Sequence, residues 1–250
     1  MERQIRAIVF PASGEVELRT LTLPACGPTE VVCETVYSFV SPGTELRILR
    51  GVAESKGRFP VIPGYSWVGR VIEVGAELHG WREGELVTGR NPVFLPGITS
   101  LWGGQASHHR AEVTGYDSVL KLPDGADPWD YVAVEVSAIS WRGVSAAYPA
   151  PGETAVVVGQ GLIGACSARW LQHFGARVIV VDPVASRLER ARRWGVAAAI
   201  DPTAGDAREA ILALAPGGAD IVIEASASPA GVALANAVLR QPAARVDNDA

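Results

Sequence analysis

With 250 residues and a 48% hydrophobic composition, the chain is long enough to bury a sizeable core in one or two domains. Its formal net charge of −5 offers no basic field to a polyanion, so nucleic acid is not an expected partner. No segment holds the roughly 18 uninterrupted apolar residues of a membrane span, and MERQIRAIVF places charges ahead of an apolar run too short for a signal peptide, so a cytoplasmic chain with no membrane partner is expected.

Residues 1–123 are expected to form a β-rich domain. Ile5 to Phe10, Glu15 to Thr20 and Glu30 to Tyr37 are short runs with β-branched residues or period-2 alternation, parted by Gly/Pro-containing segments, and Val68 to Val74 closes at Gly75. Strands of this length and spacing suggest a barrel or sandwich. Between them lies Ser41-Pro42-Gly43-Thr44-Glu45, a turn leading into one or two helical turns. Arg47 and Arg50 share a face of that helix, which reads as solvated. His108-His109 falls on a strand, where one ring points inward and the other to solvent, a structural reading preferred over a catalytic one; His79 and His173 are expected at the surface. Cys26, Cys33 and Cys166 are odd in number and lack CxxC spacing, as reduced thiols would be.

After Asp124 helices and strands alternate, as a parallel sheet requires, so residues 124–250 form the second expected domain. A helical stretch runs from Trp129 to Ser145. The segment from Thr154 to Asp182 then reads strand, turn, helix, strand, with Gly159-Gln160-Gly161-Leu162-Ile163-Gly164 at the turn and an acid closing the second strand. Gly159 serves the tight turn, Gly161 lets backbone approach a pyrophosphate, and Gly164 lets the helix pack on the strand. The pyrophosphate would meet the free N–H groups at the helix start, those of Leu162, Ile163 and Gly164. The alternative, glycines that serve only the turn, leaves Asp182 unexplained. A carboxylate there accepts from ribose hydroxyls and repels a 2′-phosphate, which favours NAD over NADP; Arg187, a turn further on, weakens that preference. Ala185 to Trp194 is an amphipathic helix, Asp220 to Ser228 a further strand, and Ala230 to Leu239 a further helix.

Five segments, in order and at matching spacing, resemble the medium-chain dehydrogenase/reductase superfamily of zinc-type alcohol dehydrogenases: PGTELRILRG, FPVIPGYSWVGRVIEVG, GGQASHHRAEV with VLKLPDG, VVVGQGLIG through WGVAAAID, and DIVIEAS. The resemblance implies an α/β architecture in which a GroES-like β-barrel precedes a Rossmann doubly wound parallel sheet. It also implies an oxidoreductase that moves a hydride between nicotinamide and a small or medium alcohol or ketone. YSFVSPGTELRILRG is similar to the branch named for the bacteriochlorophyllide hydroxyethyl dehydrogenases; the branch, not its substrate, is carried over. In DIVIEASAS, the resemblance places Ser226 or Ser228 near the cofactor.

The family's zinc ligands fall at Pro42, Tyr65, Ser66 and a residue near Ser137, none of which offers thiolate, imidazole or carboxylate. No catalytic zinc is therefore expected, and the stretch from Gly89 to Gly104 lacks the cysteines of a structural zinc lobe. Thr44 matches the family's proton-relaying hydroxyl. Tyr65 is either an acid in the place of a lost ligand or an aromatic filler. Two rival functions stay open: a quinone or enone reductase, and a catalytically inactive NAD(H)-binding protein. The ending RQPAARVDNDA is expected to leave the Rossmann sheet incomplete, with a homodimer possible if that sheet is completed. The substrate-facing loops, Gly51 to Arg58 and Asn91 to Trp102, carry Phe94, Leu95 and Trp102, a hint of an apolar pocket.

Overall fold

The computed structural model describes residues 1–52, 58–90, 95–113 and 119–241. The loop residues expected to wall a substrate pocket fall partly outside these, Phe94 among them, as does most of the ending whose effect on the sheet was at issue. The chain divides into two compact units, Met1–Val134 and Glu135–Ala250. Among the described residues no helix is long and apolar enough to cross a membrane.

The first unit carries β1 (Arg3–Val9), β2 (Glu17–Leu23), β3 (Glu30–Phe39), α1 (Pro42–Leu49), β4 (Val61–Ile62), β5 (Ser66–Val74), β6 (Leu86–Gly89), β7 (Thr99–Ser100), β8 (His108–Glu112), β9 (Leu120–Lys121) and α2 (Pro128–Tyr131). Its main sheet is antiparallel in the order β8-β3-β5-β6-β9, beside the pairs β1-β2 and β4-β7. Single bridges from Ala7 to Ala106 and from Phe10 to Val61 stitch β1 to the rest. Period-2 alternation explains the packing: Val31 and Cys33 of β3 face Trp67, Val71 and Val87, while Val32 between them faces Ile5, Ala7 and Leu23.

The division falls after Val134 and not at Asp124, because α2 belongs to the barrel side. Trp129 meets Tyr37 edge-on at 5.4 Å, and the Ser66 hydroxyl donates to the Val132 carbonyl at 3.2 Å. The expected continuous helix from Trp129 to Ser145 is accordingly two helices, α2 and then α3 (Val134–Ser145).

The second unit continues with β10 (Thr154–Val158), α4 (Leu162–His173), β11 (Arg177–Val181), α5 (Ala185–Arg193), β12 (Ala198–Ile200), α6 (Ala207–Leu214), β13 (Ile221–Glu224) and α7 (Pro229–Val238). The sheet is parallel in the order β12-β11-β10-β13, a doubly wound arrangement whose order reverses at β10. Its central strands are apolar on both faces because both are covered. Val157, Val178 and Val180 pack with Leu171, Leu188 and Val144, while Val156, Ile179 and Val181 pack with Ile211 and Val238. After α7, Leu239 bridges Ala219 in parallel.

The strand read from Asp220 to Ser228 is shorter than its apolar pattern, covering Ile221–Glu224. The Glu224 carboxylate accepts from the Ser226 N–H at 2.7 Å and turns the chain, and Ala227 sits at φ 54.

Candidate functional site

In the second unit the GxGxxG turn lies where β10 gives way to α4. Gly159 has φ 93, and a Cβ there would meet the Ser226 nitrogen at 2.7 Å and the Ala225 carbonyl carbon at 2.8 Å. A side chain at Gly164 would run into the Gly159 carbonyl. Gly161 differs: a Cβ would meet nothing within 4 Å, so its missing side chain leaves open space above the backbone. Gly161 is also the N-cap of α4 and makes no side-chain capping bond. The first N–H groups of the helix, those of Leu162, Ile163 and Gly164, are therefore available to an anion.

This space is part of a cavity of about 470 Å³ lined by Gly159, Gly161, Asp182, Arg187, Thr203 and Ser226 among others. Asp182 is only 2% exposed. Its Oδ2 accepts from the Gln160 N–H at 2.6 Å and from Arg187 at 3.3 Å, and its Oδ1 accepts from the Val184 N–H at 2.8 Å. A carboxylate has about four acceptor positions. Three are used, leaving one for a ligand hydroxyl.

At the opposite wall Ser226 donates to Glu224, and the Ser226 and Ser228 hydroxyls lie 2.9 Å apart. Glu224 was not singled out from sequence. The available signal was an acid at the carboxyl end of a parallel strand, where ligands of open α/β sheets bind.

In the first unit, α1 starts at Pro42, whose preset φ suits a first helical position. Thr44 Oγ1 accepts from the Ser41 hydroxyl at 3.2 Å, and Glu45 accepts from the Ser41 N–H at 3.2 Å. Burial raises the Glu45 pKa, an effect opposed by its hydrogen bonds from the Ser41 and Tyr65 backbones. Tyr65 is half-buried, its ring 5.6 Å from Trp102 and 6.4 Å from Phe39. Trp102 itself has φ 60, a conformation non-glycine residues rarely adopt. Ser66 is buried and donates to Val132, while in the second unit Ser137 accepts from the Trp170 indole N–H. Among the described residues, no three His, Cys, Asp or Glu side chains form a group that could hold a metal ion.

His109 is the inward member of its pair, fully buried and stacked on Trp67 at 4.2 Å, with burial pushing its pKa down to about 3. His108 is half-buried beside Ser107. His79, His173, Arg47 and Arg50 are exposed. Burial pushes the Cys33 thiol up to about 12, as an inert packing residue requires.

Family comparisons add the decisive observation. The alcohol dehydrogenase GroES-like domain matches residues 27–124, and the zinc-binding dehydrogenase domain matches residues 163–245. The chain belongs to the medium-chain dehydrogenase/reductase superfamily. Its β-rich first unit is thus the GroES-like domain and its second the Rossmann-like domain. Among curated relatives of the superfamily, a protein of Mycobacterium tuberculosis named as a probable zinc-binding alcohol dehydrogenase is 30% identical over 252 residues, covering 91% of this chain and 64% of its own length. The chain thus spans about two thirds of the length of this relative. The NADP-bound structure of a protein described as a zinc-binding dehydrogenase, from Sinorhizobium meliloti, superposes with a TM-score of 0.84 at 24% identity, covering 95% of this chain and 74% of its own. A short chain alcohol dehydrogenase of Escherichia coli complexed with NADH superposes with a TM-score of 0.79 at 20% identity, covering 94% of this chain and 73% of its own.

Proposed function

We propose that this medium-chain dehydrogenase/reductase is a zinc-independent, NAD-dependent oxidoreductase that interconverts a small or medium alcohol and its ketone. The observation that carries the reading is the open turn at Gly161, set between the uncapped start of α4 and the carboxylate of Asp182. Open backbone and free N–H groups suit a pyrophosphate, and the remaining acceptor position on Asp182 suits a ribose hydroxyl. When bound, the dinucleotide supplies the hydride chemistry. The chain supplies the cradle.

The preference for NAD rests on charge. A 2′-phosphate on that ribose would bring a second anion against Asp182, and the nearby Arg187 already leans on the same carboxylate at 3.3 Å.

Zinc does not suit the residues at the family's ligand positions. Pro42 has no donor atom, Tyr65 offers a neutral phenol, the Ser66 hydroxyl is committed to Val132, and Ser137 is committed to Trp170. With no Lewis acid, proton transfer to or from the substrate oxygen falls to hydroxyls, and Thr44 and Tyr65 are proposed for it. The Ser41 hydroxyl already orients Thr44 Oγ1 by its hydrogen bond.

The test is NADH oxidation by a panel of ketones, run on protein whose zinc content is measured by elemental analysis. Turnover without stoichiometric zinc, with NADH preferred to NADPH, is the expected result. Activity that appears only on adding zinc would refute the metal-free reading, and NADH binding without turnover of any ketone would point to the inactive binding protein.

A further inference from the structure

The second unit holds another cavity, larger than the dinucleotide one at about 580 Å³, in the groove that α3, α4 and α5 leave on one face of the sheet. Its lining is cationic and aromatic. Arg169, Arg187 and Arg190 contribute three guanidinium groups, Trp170 and Trp194 two indoles, and among the described residues no Asp or Glu lines it. In a chain of net charge −5 this is a local reversal of sign.

Two of these arginines are unmatched by charge. Arg187 pairs with Asp182, whereas Arg169 donates to the Gln172 side-chain oxygen at 2.9 Å and the Trp194 carbonyl at 3.4 Å. Arg190 donates to the Gln160 carbonyl at 2.8 Å. Neither forms an ion pair among the described residues. Arg190 stands in the last turn of α5 with Arg192 and Arg193, where carbonyl ends attract cations, but unlike them it turns its guanidinium toward the cavity.

The wall is also under-satisfied. Gln160 is 0% exposed and lines the cavity; its Nε2 donates to the Gly159 carbonyl, and its Oε1, an acceptor that calls for a donor such as water and not for an anion, has no partner among the described residues. The Arg190 Nε is likewise buried without one. Arg169 and Arg190 both lie against Trp194, at 5.9 and 5.3 Å from its ring centre. Planar guanidinium forks beside indole faces match a ligand that is itself flat and carries a carboxylate.

We propose that this groove binds a small aromatic carboxylate, at a site separate from the dinucleotide cavity. Among the described residues the two cavities share Gly161 and Arg187 alone. The Gln160–Gly161 backbone lies between them.

The probe is sodium 2-naphthoate, titrated into the full chain by calorimetry and by quenching of tryptophan fluorescence, with neutral 2-naphthamide as control. Expected are saturable one-to-one binding of the carboxylate, retention of that binding in the presence of NADH, and roughly tenfold weakening in Arg169→Gln and in Arg190→Gln. Arg169 is exposed, so its variant keeps the test sound should the half-buried Arg190→Gln lose its fold by circular dichroism. Absence of saturable binding at millimolar naphthoate overturns the proposal. So does equal binding of the amide, displacement of naphthoate by NADH, or indifference to Arg169→Gln. Sedimentation showing that the groove is covered by a second copy of the chain would overturn it as well.

Discussion

The backbone N–H of Gln160 donates to Oδ2 of Asp182 at 2.6 Å across a separation of 22 residues. One carboxylate therefore shapes the glycine turn and faces the cavity proposed for the cofactor. Asp182→Asn keeps the size of the side chain but removes its charge and one acceptor. NADH affinity is expected to fall at least tenfold, and folding stability by about 1–2 kcal/mol as charge-assisted bonds become neutral ones. Fluorescence titration and urea unfolding measure the two effects. Unchanged NADH affinity would remove Asp182 from the site.

The glycines of the turn separate fold from function. Gly159→Ala strains a backbone at φ 93 and drives a methyl into Ala225 and Ser226, both through main-chain atoms that cannot swing aside. A loss of about 1–3 kcal/mol is expected, read as a lower melting temperature. Gly161→Ala sits at φ −63, where any residue is at ease, and meets no neighbour. It should melt within about 0.5 kcal/mol of the parent and yet bind NADH poorly, because the new methyl fills the space meant for ligand.

Tyr65→Phe tests the proton step. Phenylalanine keeps the ring packed between Phe39 and Trp102 and deletes only the hydroxyl. If the phenol is the acid, kcat should drop by roughly 100-fold or more with little change in KM, the size of a general-acid contribution. A folded variant with unchanged kcat would mean that Tyr65 is an aromatic filler.

His109 is expected to make the first unit acid-sensitive. Burial, with a smaller push from His108, holds its pKa down to about 3, against about 6.5 in an unfolded chain. Between those values the unfolded state binds the extra proton, so stability falls as pH falls from about 6.5 toward 3 and is insensitive to this group above that window. The slope is at most about 1.4 kcal/mol per pH unit. His109→Phe, which keeps a ring on Trp67, should lose about 2 kcal/mol less than the parent between pH 7 and pH 5 in urea titrations. Parallel curves would show that the histidine is not the source.

Periodicity made the Rossmann half easy to read. Its strands are continuous apolar runs because helices cover both faces, and such runs stand out in a sequence, as Ala155 to Val158 and Val178 to Val181 do. Its turn was legible because each glycine answers a local steric demand. The helix from Trp129 to Ser145 was harder. Its break at Val132 depends on Ser66, 66 residues away, taking the carbonyl, and no local signal carries that. The strand ends at Glu224, short of its sequence pattern, for a similar reason: the Glu224 side chain accepts from the Ser226 N–H and turns the backbone there.

By itself the sequence determined what depends on near neighbours: the order of elements, the glycine turn, the acid at Asp182, the family segments, and which of His108 and His109 could share a strand with opposite faces. The tertiary structure decided what depends on distant groups meeting. It chose His109 as the buried ring, by placing Trp67 against it. It brought Glu224 to Ser226 and Ser228 at the cavity wall, and set Arg169 and Arg190 against the same Trp194 ring. Local chemistry acts over a few residues of chain, whereas charge, burial and cavity shape arise only when the chain has folded back on itself.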